Sequence, residues 1–114
     1  MALSEFTRKL IETKLTEYCD KRFPKDIQDQ IKLIFKIRGN NVTLIETRPF
    51  YRDPSIWTEV PVAQFRYDEP SHKWFLYYPD RNSRWHSYSG VIPTANLDVI
   101  FKEIDRDPTG IFWG

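Results

Sequence analysis

Arg66, Arg84 and His86 stand among eight aromatic residues between Val60 and Tyr88. These residue types have a definite chemistry. A guanidinium fork grips phosphate or carboxylate with two parallel hydrogen bonds. An imidazole gives or takes a proton near neutral pH, or donates to a phosphate. Aromatic rings stack on nucleobases without regard to base identity. If Tyr67 opposes Trp74, Phe65 opposes Leu76 and Leu76 opposes Trp85, three strands sort into two faces. Phe65, Trp74, Leu76 and Trp85 then form the apolar face. Gln64, Arg66, Phe75, Tyr77, Arg84, His86 and Tyr88 form the other, and Arg81 joins Arg84 at its edge from the tight Pro79-Asp80-Arg81-Asn82 turn. The same residues also make an ordinary solvated sheet face, held by cross-strand and cation–π pairs.

Glu46 is the second point of chemistry. Pairing Leu33 with Glu46 across a Gly39-Asn40 hairpin turns this carboxylate toward an apolar side. There it needs a partner or a raised pKa. Arg48, two residues on, shares its face and is the natural partner. Glu46, Arg66 and His86 together also make a carboxylate base, a guanidinium for phosphate and an imidazole acid. That is the equipment of a small metal-independent ribonuclease, if the three converge. His72 sits in a turn. Cys19 is the only cysteine, so no disulfide and no cysteine zinc site is expected. No P-loop, dinucleotide fingerprint, nucleophile elbow or RNP strand pair occurs, and no metal or cofactor is expected.

The elements that must position these residues follow from periodicity. Ser4 can cap a helix whose stripe is Leu3, Phe6, Leu10, Ile11, Leu15, Tyr18 and Cys19, ending at Phe23-Pro24. Lys25 to Gln30 reads as a connector. From Ile31 the period becomes two. Leu33, Phe35 and Ile37 alternate with Lys32, Ile34, Lys36 and Arg38, and residues 42–48 return as a hairpin partner. Residues 48–59 contain Pro49 and Pro54 and read as a long connection, since proline is excluded from central strands. Strands are expected over 60–67, 74–78 and 84–88. Thr94 can cap a second helix with Leu97, Ile100, Phe101 and Ile104 as its stripe, stopped by Asp107-Pro108-Thr109-Gly110. The expected architecture is a two-layer α+β fold: N-terminal helix, antiparallel meander of about five strands, C-terminal helix.

Composition bounds the partners. With 114 residues the chain is expected to be a single domain over 1–114. Net charge is +1, so a strong overall field for nucleic acid is absent and any such contact rests on a local patch. Residues 1–50 carry 10 Lys and Arg against 7 Asp and Glu, and residues 90–114 carry two against four, so the front is mildly basic and the tail acidic. No apolar run is long enough for a membrane span, and no basic-then-apolar leader is evident, so the cytoplasm is the expected compartment and no membrane partner is expected.

Ala2-Leu3-Ser4-Glu5-Phe6, residues 60–67 (Val-Pro-Val-Ala-Gln-Phe-Arg-Tyr), residues 80–86 (Asp-Arg-Asn-Ser-Arg-Trp-His) and residues 107–114 (Asp-Pro-Thr-Gly-Ile-Phe-Trp-Gly) resemble the bacterial domain-of-unknown-function family 3024. The resemblance spans essentially the whole chain. It implies a short bacterial cytoplasmic protein and carries no activity or site residues with it.

The expectation from the residues is a non-enzymatic binding module. Its aromatic–basic face, Gln64, Arg66, Phe75, Tyr77, Arg81, Arg84, His86 and Tyr88, would take single-stranded nucleic acid or a protein partner. The alternatives are the ribonuclease of Glu46, Arg66 and His86, and a protein-interaction subunit using the apolar tail Ile111-Phe112-Trp113. Spacing and composition leave the oligomeric state open.

Overall fold

The computed structural model describes residues 2–113. Helix α1 (Glu5–Arg22) is followed by a short 3-10 turn, Lys25–Ile27. Five strands come next: β1 (Lys32–Arg38), β2 (Asn41–Phe50), β3 (Asp53–Asp68), β4 (Lys73–Pro79) and β5 (Trp85–Ser87), and helix α2 (Leu97–Arg106) closes the order. The strands lie side by side in chain order, each antiparallel to the next. The α+β meander expected from the period changes is the observed fold.

One face of the sheet is the core. Leu33, Val42, Leu44, Phe65, Trp74 and Leu76 meet Ile11, Leu15 and Cys19 of α1 and Leu97, Ile100, Phe101 and Ile104 of α2. Period two puts alternate strand residues there, and period 3.6 gives each helix one stripe to match. The α1 stripe is narrower than its apolar residues: Ile11, Leu15 and Cys19 are buried, whereas Phe6 and Leu10 are exposed. Ser4 caps α1 by accepting from the Thr7 N–H at 3.2 Å. Asn96, not Thr94, caps α2, accepting from the Asp98 N–H at 3.0 Å. Thr94 instead forms a backbone bridge to Trp74.

Residues 48–59 are not a loop. β2 and β3 run on as a two-stranded ribbon to a Tyr51-Arg52 turn. β1 pairs with β2 only as far as Thr47, and β4 pairs with β3 only from Gln64. Beyond those points each ribbon strand has a free edge, where proline costs no ladder hydrogen bond. That is why Pro49, Pro54 and Pro61 are accommodated. Register jumps from Leu44–Ala63 to Ile45–Pro61, so Val62 is a bulge residue.

The β1–β2 and β3–β4 pairings match the alternation, including Leu33–Glu46, Phe65–Leu76 and Tyr67–Trp74. The last does not. Tyr78 pairs with His86 and Pro79 with Trp85, a three-residue shift from Leu76–Trp85. An odd shift exchanges the faces. The cause is the turn. The Asp80 carboxylate accepts from the Asn82 and Arg84 N–H groups at 2.8 and 3.0 Å, and Ser83 sits at φ 62°. This closes a longer loop than a tight four-residue turn. Trp85 therefore leaves the core face, while Tyr88 enters the core and donates to Glu103 at 2.5 Å. Burial and then that carboxylate push the Tyr88 phenol up to about 12.

The Tyr88 ring lies so close to Gly90 that an added Cβ would stand 2.5 Å from it. Gly90→Ala should therefore displace a core ring and cost about 1–3 kcal/mol. Thermal unfolding should shift down by roughly 4–8 °C for each kcal/mol lost. An unchanged melting temperature would show that the ring has room to move.

Candidate functional site

The sheet face away from the helices is the candidate site. Register assigns it from the core outward. Because Leu33, Phe35 and Ile37 face the helices, Lys32, Lys36 and Arg38 of β1 face away. Gln64, Arg66 and Asp68 of β3 lie opposite Tyr77, Phe75 and Lys73 of β4 on the same side. Trp85, opposite Pro79, joins them from β5. Among the described residues paired in regular register, Lys32, Lys36, Arg38, Arg66 and Lys73 thus stand against the carboxylates of Glu59 and Asp68. Five of the chain's 17 Lys and Arg residues thus make a local positive excess in a chain whose net charge is only +1.

Arg66 is held in place by a chain of hydrogen bonds. Its Nε donates to Gln64 Oε1 at 2.7 Å, and Gln64 Nε2 donates to Thr43 Oγ1 at 3.0 Å. Gln64 is 8% exposed, so its amide is spent on orienting the arginine and does not reach solvent. The guanidinium carbon lies 3.9 Å from the centroid of the Tyr77 ring. Among the described residues, no carboxylate pairs with Arg66, Arg38, Arg81 or Arg84. A planar cation seated on a ring with free N–H groups is ready to take an anion beside a stacked base.

The expected site residues divide as follows. Gln64, Arg66, Phe75 and Tyr77 share the open face. Arg81 and Arg84 stay exposed in the β4–β5 loop. Tyr88 is not on that face: it is buried in the core. His86 also lies on the helix side, at its rim, for the same reason of register. Its ring stacks on Tyr78 at 5.5 Å, and its Nε2 contacts Asp80 Oδ2 at 2.8 Å. Lys32, Lys36, Arg38, Trp57 and Trp85 were not anticipated. The alternation in β1 already carried the signal for the three cations; the prolines concealed Trp57, and the β5 register concealed Trp85.

Glu46, Arg66 and His86 do not assemble a phosphodiester-sized centre. Arg66 points away from the helices, whereas Glu46 and His86 belong to the other side. Glu46 in β2 and His86 in β5 are separated by three strand spacings, on the order of 14 Å. Glu46 accepts from Arg48 Nε at 2.8 Å, the partner two residues away. The apolar tail is engaged within its own chain. Asp107 accepts from the Phe112 and Trp113 N–H groups at 3.0 and 2.8 Å, and the Trp113 indole donates to the Ile104 carbonyl at 3.0 Å. Arg22 covers the Trp113 ring at 4.2 Å. Among the described residues no group of His, Cys, Asp and Glu is arranged to hold a metal, and no helix is long and apolar enough to cross a membrane.

The fold and site define a class: an antiparallel meander with both helices on one face and an aromatic–basic surface on the other. The chain belongs to the family described as Domain of unknown function (DUF3024), whose model matches residues 3–114. No curated protein and no solved structure matches it.

The Asp80–His86 contact is testable. His86 and then the Arg84 N–H hold the Asp80 carboxyl down to about 2, from an ordinary 3.8. A depressed folded value means that this carboxylate favours the folded loop above pH 3.8, and the contribution is lost as pH falls through about 2. Carboxyl-carbon NMR should show Asp80 titrating late in acid, and His86→Ala should return it toward 3.8. An Asp80 that titrates normally in the parent chain would remove the contact as the anchor of the β5 register.

Proposed function

We propose that this protein is a non-catalytic binding module of the bacterial cytoplasm, and that its open sheet face takes single-stranded nucleic acid. The observation that carries the reading is the Arg66–Tyr77 stack, oriented by Gln64 and surrounded by excess positive charge. Unpaired bases offer π-faces to Tyr77, Phe75 and Trp85, while phosphates meet Arg66, Arg38 and Lys36. A duplex hides those π-faces. An arginine stacked on a tyrosine also suits a protein interface, but lysines are depleted at such interfaces, and the unpaired Arg38 and Arg66 with Lys32 and Lys73 match a row of phosphates, so nucleic acid is favoured over protein. Catalysis is not part of the reading, because the acid, base and cation candidates are dispersed.

The test is fluorescence anisotropy with a labelled oligothymidylate of about 12 nucleotides. Affinity should fall with salt with a log–log slope of about −2 to −4, the mark of a few released counterions. Tyr77→Ala should weaken binding by about 1–3 kcal/mol while the helices and melting transition persist. Binding insensitive to both salt and Tyr77 would overturn the reading. Absence of any binding would leave the face to a protein partner.

A further inference from the structure

We infer that the β2–β3 ribbon carries a second nucleobase subsite at Trp57 and Lys32, so that one single strand runs along the open face from Tyr77 to Trp57. The inference rests on the nucleic-acid reading of that face and extends it to an element outside the expected site.

Register puts the two residues there. Thr47 pairs with both Lys32 and Glu59, and Pro49 pairs with Trp57. Lys32, Thr47, Pro49, Trp57 and Glu59 therefore share the side turned away from the helices. The Lys32 ammonium lies 4.6 Å from the centroid of the Trp57 ring. This repeats the Arg66–Tyr77 arrangement: a cation on an aromatic ring, on the same side, at the other end of the sheet. Trp57 is half-buried and has no place in the helix-covered core. Indole is the strongest partner for a cation and a broad platform for a base.

The two platforms are joined by a floor. In β2, the row of Gln64 crosses at Thr43 and the row of Trp57 at Pro49. Six residues of strand cover about 20 Å, a distance suited to the roughly 4–16 nucleotides that a sheet-based single-strand site covers. Ile45 and Thr47, between the rows, are 6% and 4% exposed, so no gap opens there and the surface a strand would meet is that of the more exposed side chains around them. Lys36 stands over this stretch, paired with Glu59 at 2.8 Å. An exposed pair of this kind is worth about 0–1 kcal/mol, so a phosphate can replace the carboxylate at little cost. A two-stranded ribbon twists, which turns the second platform relative to the first. A flexible single strand can follow that turn; a stiff duplex cannot.

The experiment compares oligothymidylates of about 4 and about 12 nucleotides on the full chain. The longer probe should bind more tightly. Trp57→Ala should weaken the longer probe roughly tenfold or more, down toward the shorter one, and weaken the shorter one far less. Trp57→Phe, which keeps a ring, should restore most of the loss. Tyr77→Ala should weaken both probes. If Trp57→Ala leaves the longer probe unaffected while Tyr77→Ala still weakens it, the ribbon subsite is refuted and the open-face reading survives. A loss that Phe does not restore, with the ribbon's strand signals in NMR disturbed, assigns Trp57 a structural role and refutes the subsite. If neither probe binds, both readings fall together.

Discussion

The structure depends on Trp74. Its side chain is 2% exposed within the core shared by both helices. Its ring lies 4.8 Å from Tyr67 across the β3–β4 pairing. Its backbone accepts from and donates to Thr94 at 3.2 and 2.8 Å. That bridge covers the first half of β4, which β5 does not reach, and brings the chain to the start of α2. One residue thus closes a sheet edge, fills the core and places a helix. Truncating a buried tryptophan costs about 3–5 kcal/mol, a large share of the roughly 5–15 kcal/mol that holds a domain folded.

Once this face is committed to the helices, the opposite face is fixed by the pleat. Strand residues have no third direction. Every apolar side chain drawn inward on β1, β3 and β4 places its neighbour outward, and those neighbours include Ile34 as well as Lys32, Lys36, Arg38, Gln64, Arg66, Lys73, Phe75 and Tyr77. The basic aromatic surface is thus the reverse side of the core. Gln64 adds rigidity. A buried amide must be satisfied, and it satisfies itself between Thr43 and Arg66, so the guanidinium is held on Tyr77 before any ligand arrives. Such preorganisation lowers the ordering cost of binding.

The ribbon and the β5 register have a different origin. Both are decided by what is absent at an edge. Pro49, Pro54 and Pro61 are compatible with strand because β1 and β4 stop short of them. β5 takes its register from the Asp80 loop and from Tyr88, whose ring needs the space above Gly90 and whose hydroxyl needs Glu103. In a three-residue strand, turn chemistry and a single buried ring outweigh the alternation.

Local pattern was enough for the elements with strong periodicity: the Ser4-capped α1, the Leu97–Ile104 stripe, and the pairings of β1 with β2 and β3 with β4. Those features repeat over several residues, and each repeat points the same way. It also placed Gln64, Arg66, Phe75 and Tyr77 on one side, and Glu46 beside Arg48. Tertiary structure alone decided the rest. It sent Trp85 outward and Tyr88 inward, moved His86 to the rim, exposed Phe6 and Leu10, and extended Trp57 along a ribbon where the prolines argued for a loop. The physical reason is common to all of these. Each depends on which neighbour lies across an edge or a helix–sheet gap, and that is a property of the assembled layers, with no period of its own in the chain.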